Sequence, residues 1–135
     1  MNRRPAAGVT LQQLDGQDWG DPPADESYVI RTCHRLRRVP LDRFDAEDLR
    51  IMIGQRLSLA VLVPLAVELL EADPLAGGDM VDGALLATVL ASLEPVQLDA
   101  DLTRRLGGVV DRVAVADPDD VDPRLPDLIA ASRAS

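Results

Sequence analysis

One cysteine, one histidine, no lysine and a single copy each of tryptophan, tyrosine and phenylalanine occur in 135 residues. A lone cysteine excludes an intramolecular disulfide. One cysteine and one histidine cannot build a zinc site unless carboxylates complete it. With aromatics at 2%, modules that stack RNA bases on rings are disfavoured, and the core must be Leu, Val, Ile and Ala. There is no phosphate-binding loop, no dinucleotide glycine fingerprint and no G-x-S-x-G elbow. Positive charge is scarce as well: 14 arginines stand against 23 acids, net −9, which argues against nucleic acid or an anionic membrane as direct ligand. The N-terminal residues lack the apolar centre of a secretory signal, so the expected location is a reducing cytoplasm. The longest apolar run, 57–70, is shorter than the ~20 residues that span a bilayer.

That run is what the chain does have. From Leu57 to Leu70 only Ser58, Pro64 and Glu68 interrupt apolar residues. Such a helix is apolar all round and needs protein on every side. The flanking segments read as shorter amphipathic helices, each with one face to offer it. The expected fold is all-α, a single compact multi-helix domain around a buried central helix with loosely ordered ends. The expected divisions are a flexible N-terminus 1–9, a helical domain 10–116, and an acidic Pro-rich linker with a short terminal helix, 117–135.

Local signals place the helices. Thr10 with Gln13 forms a capping box and Gly16 a stop. Trp19, Gly20, Pro22 and Pro23 make a loop, from which the large ring of Trp19 is expected to plug the core. A helix from Asp25 or Ser27 to about Arg38 has Val29, Ile30, Cys33 and Leu36–Arg37 at helical spacing, with its arginines expected mostly outside. Asp45-Ala46-Glu47-Asp48 starts the next, with Leu49, Met52 and Ile53 buried. Ser58 is the expected cap of the central helix, and Pro64 its kink or restart. Asp82 is the expected cap of a helix over 83–93, and Asp99 or Asp101 opens one to Val115 that Gly107-Gly108 divides or weakens.

No constellation points to catalysis. Cys33 and His34 are neighbours about 100° apart on a helix, so they do not face each other as a nucleophile pair. Asp79 and Asp82 in a glycine-containing loop lack the ligand count of a calcium site and read as a turn and a cap. The acidic run 117–122 reads as solvated charge. The arginine-rich helix 31–38 is expected to pair with the chain's own acids. No metal or cofactor is expected.

Several blocks occur in a telling order: Gly16-Gln17-Asp18-Trp19-Gly20-Asp21-Pro22-Pro23, Arg31-Thr32-Cys33-His34-Arg35-Leu36-Arg37-Arg38-Val39-Pro40-Leu41, Asp48-Leu49-Arg50, Ile53-Gly54-Gln55, Leu62-Val63-Pro64-Leu65-Ala66, Asp73-Pro74-Leu75 and Gly78-Asp79. From Thr10 to Leu93 this set resembles the bacterial contact-dependent growth inhibition (CDI) immunity proteins. The chain departs from them at Met80-Val81-Asp82, where aromatics often precede a glycine. The resemblance implies a cytosolic protein that binds a toxin's C-terminal domain and blocks it without turnover or cofactor. Many such toxins are basic nucleases. An acidic surface then steers encounter and fills the cleft, and the residues expected to form it are Glu68, Glu71, Asp73, Asp79 and Asp82. The rival surface is the 117–122 run. The expected state is a monomer or weak dimer, and the alternative function is a helical adaptor or homo-oligomer without a toxin.

Overall fold

The computed structural model describes residues 8–21, 24–77, 81–93, 98–113 and 121–134. The flexible terminus expected over 1–9 therefore lies, up to residue 7, outside the described residues. Two helices start on reciprocal caps, as their side chains require. In α1 (Leu11–Asp15) the Gln13 N–H donates to Thr10 Oγ1 and the Thr10 N–H to Gln13 Oε1. In α3 (Ala46–Gly54) Asp45 and Asp48 exchange the same pair of bonds. Between them, α2 (Tyr28–Leu36) starts on the Ser27 hydroxyl and is followed by a single 3₁₀ turn, Leu41–Arg43. After them come α4 (Leu59–Ala72), α5 (Ala84–Ser92), α6 (Ala100–Val113) and α7 (Leu125–Ala134). Among the described residues every regular element is helical.

The most enclosed helix is α5, not the long apolar run. Residues Ala84 to Val89 and Ser92 are all buried. Helix α3 packs most extensively on α5, and α7 and α4 also pack on it. Its polar side chains are satisfied without water: Thr88 Oγ1 donates to the Ala84 carbonyl, and Ser92 Oγ reaches the carbonyls of Thr88 and Ile53. Helix α4 buries one face, Leu62, Val63, Ala66, Val67 and Leu70, toward α3, α5 and α6. Each of its buried Leu and Val side chains contributes ~1.5–3 kcal/mol of apolar transfer. Its other side is only partly covered, and Leu65 and Leu69 stay half-buried there.

Four expected breaks and caps take the following forms. Helix α4 runs unbroken through Pro64. The carbonyl that loses its partner there belongs to Ala60, an exposed residue. Ser58 sits at the start of α4 in the left-handed region, φ 50°, and caps through its carbonyl, which accepts from Val61 and Leu62, rather than through its hydroxyl. Asp82 does not cap α5: the residue at that position is Gly83, φ 84°, and no side chain caps the helix. Helix α6 is continuous across Gly107 and Gly108, which lie on its exposed side, and Asp99 caps it by accepting from the Leu102 N–H at 2.7 Å.

The solvated stretch expected over 117–126 is described only from residue 121, and that part is packed. Val121, Asp122 and Leu125 are buried, and the Asp122 N–H donates to the Asp82 carbonyl at 2.8 Å. The expected terminal helix over 128–134 begins earlier, at Leu125, and packs on α5.

Candidate functional site

Trp19 illustrates how this chain spends its few special residues. It does not plug the apolar core. It remains 37% exposed, with its ring 4.4 Å from the guanidinium carbon of Arg37 and edge-on to His34 at 5.2 Å. Arg37 is only 2% exposed, so its charge needs a counterion and a lid. One guanidinium nitrogen donates to both Asp15 oxygens, at 2.6 and 2.7 Å, and to the Gln17 carbonyl. The ring of Trp19 closes the other side. Arg38 pairs with Asp18 and Asp21. Two arginines of the basic segment thus pair with the chain's own acids, as the charge pattern suggests. They hold α1 and the 16–21 loop to the end of α2.

Burial pushes the Cys33 thiol above its ordinary range, which suppresses the thiolate. His34 faces Trp19, and its Nδ1 is buried with no hydrogen-bond partner among the described residues. Among the described residues no group of three His, Cys, Asp or Glu is placed to hold a metal ion. No described helix is long and apolar enough to cross a membrane.

The five acids expected to contact a partner are placed as follows. Glu71, near the end of α4, accepts from Arg105 Nε at 3.0 Å and from its Nη2, while its carbonyl accepts from Arg112. The Arg105 guanidinium holds the Glu71 carboxyl below its ordinary range. This acid ties α4 to α6 as well as facing water. Asp73 follows at the end of α4, exposed, its carbonyl accepting from the Ala76 N–H. Asp82 is exposed in the turn before α5. The bonds from Gly83 N–H to the Leu75 carbonyl and from Leu85 N–H to the Ala76 carbonyl bring that turn against the 73–76 segment. Asp79 lies outside the described residues. Glu68 lies one turn back on α4, its charge acting on Arg105 as Glu71's does, at a cleft between α4 and the 3₁₀ turn.

The rival acidic run contributes little surface where it is described. Asp122 is buried and accepts from Arg124, whose guanidinium lowers its carboxyl below the ordinary range. Asp117, Asp119 and Asp120 lie outside the described residues.

The sequence did not single out the cleft beside Glu68. It has a volume of about 260 Å³, with Leu41, Asp42 and Phe44 on one wall and Leu65, Glu68 and Leu69 on the other. The available signal was the i, i+3, i+4 spacing of Leu65, Glu68 and Leu69 on a helix already apolar on its opposite face. A second, larger groove of about 750 Å³ lies between α5, α6 and α7, with Leu90, Leu106, Val110 and Leu128 in its walls.

No match was found among curated proteins or among solved structures. The family model for CDI immunity proteins matches residues 13–105, which takes in α2 to α5, the cleft and the first turns of α6. An all-helical chain with that match over most of its length belongs to the CDI immunity proteins.

Proposed function

We propose that this protein binds a cognate toxin domain and neutralises it by stoichiometric occlusion, without turnover. The observation that carries the reading is the family match over residues 13–105. The charge supports a basic partner: residues 57–135 alone carry net −9. In this reading the toxin is a nuclease with a basic substrate cleft. Glu68, Glu71, Asp73, Asp79 and Asp82 present carboxylates where the substrate's phosphates would lie. The arrangement supports part of that surface: Glu71, Asp73 and Asp82 gather around the end of α4 and the turn before α5, with Glu68 one turn away.

The test is co-expression with the toxin domain encoded beside this gene. A 1:1 complex on gel filtration and rescue of toxin-expressing cells are expected. Association should slow about tenfold or more between ~0.05 and ~0.5 M salt, because long-range steering is screened. Absence of a complex together with absence of rescue refutes the reading.

The apolar groove between α5, α6 and α7 favours a second reading, a helical adaptor or homo-oligomer. Light scattering decides between them: a dimer that persists on dilution and ignores the toxin supports the adaptor.

A further inference from the structure

We propose that the cleft between the 3₁₀ turn and α4 is an anchor site that receives one arginine or lysine side chain of the toxin domain. The proposal rests on the toxin-binding reading above and names the contact within it. Helix α4 is apolar in every direction, yet the fold buries only one of its faces. Leu65 and Leu69 form a second apolar stripe, half-buried, and among the described residues it forms one wall of the cleft. Leu41 and Phe44 form the facing wall. The walls would suit any apolar group, but the two acids narrow the choice. Asp42 stands on one wall and Glu68 on the other. Apolar walls carrying two carboxylates match a long side chain with a methylene stem and a cationic head. The size agrees: about 260 Å³ is below the ~300 Å³ at which pockets for drug-sized ligands begin, and suits a single side chain. The charge agrees too, since a chain of net −9 selects a basic partner. A side chain seated between these walls would lose much of its contact with water on binding, and such central contacts are where binding energy concentrates in protein interfaces.

The test uses full-length protein and the toxin domain encoded beside the gene, with affinity measured by calorimetry. Leu65→Trp fills the cleft, and Asp42→Asn with Glu68→Gln removes its charge while keeping its shape. Each variant is expected to keep its helical circular dichroism and to weaken binding at least tenfold. The charge-neutral variant should also show a shallower salt dependence of association. Asp127→Asn, which removes an exposed carboxylate on α7, should leave affinity within twofold. Wild-type binding with both cleft variants folded and unaffected overturns the anchor site and leaves the toxin reading standing. A change of oligomeric state in Leu65→Trp with toxin affinity intact assigns the cleft to a second copy and overturns the proposal. No binding by the wild type overturns both.

Discussion

Replacing Gly83 with alanine probes how α7 closes on α5. Gly83 sits at φ 84°, a left-handed conformation that costs an L-residue ~1 kcal/mol or more. A methyl group there would fall on Leu125 Cδ1, inside contact distance. Neither side can yield easily. Leu125 is 1% exposed, and the Gly83 N–H is bonded to the Leu75 carbonyl at 2.8 Å. Overpacking of this kind costs ~1–3 kcal/mol, so Gly83→Ala should destabilise by ~2–4 kcal/mol in all. Leu125→Ala should cost ~2–5 kcal/mol through the lost side chain and the cavity left behind. It also removes the atom that the new methyl strikes. In that background Gly83→Ala should cost only the backbone part, ~1 kcal/mol, leaving a favourable coupling of ~1–3 kcal/mol. Urea unfolding followed by circular dichroism on the four proteins measures the cycle. Additivity within ~0.5 kcal/mol would show that α7 does not rest on Gly83, and the packing described for the tail would be wrong.

Other outcomes follow from the same geometry. Gly108→Ala, on the exposed side of α6 with open space around the new methyl, should stabilise by ~0.5–1 kcal/mol in the same assay. The carboxyls of Asp15, Glu71 and Asp122 are held below their ordinary range by Arg37, Arg105 and Arg124 respectively. Lowered folded values mean that these pairs contribute stability above about pH 4 and lose it as the pH falls through the lowered values. Asp48 works in the opposite sense, because burial raises its carboxyl. Acid unfolding of the wild type should therefore be steeper below about pH 4 than that of Glu71→Gln, whose stability should already be lower at pH 7. Equal slopes would refute the Glu71–Arg105 tie. The single tryptophan reports separately on the N-terminal layer: Asp15→Asn should change its fluorescence by releasing Arg37 from beneath the ring.

What the sequence made legible was local. Thr10 with Gln13 and the acceptor Asp45 before Glu47 and Asp48 mark helix starts, and both caps form; the return bond from the Asp45 N–H to Asp48 is an addition of the structure. The stripes of α3 and α6 follow helical spacing and bury on the expected side. Tertiary facts were not legible. The run 57–70 and the segment 84–92 are both apolar, and nothing in either says which one neighbours will enclose. Trp19 is large enough to plug a core, but its place depends on Arg37 being buried, which no local pattern signals. Asp82 has the chemistry of a cap, yet the chain turns left-handed at Gly83 to admit Leu125 from forty-two positions further on. As for the acids, charge alone did not distinguish Glu71, tied to α6, and Asp122, buried beside Arg124, from exposed Asp73.

The enclosure of α5 sets how this protein tolerates inherited change. A helix bathed on one side accepts variation every third or fourth position, and α6 turns Thr103, Arg104, Gly107 and Gly108 to solvent. Helix α5 offers no such rhythm until its last turn, where Leu90 and Ala91 emerge. Substitutions on the outer faces should cost little, while almost any change of size or polarity within 84–89 should cost a core position.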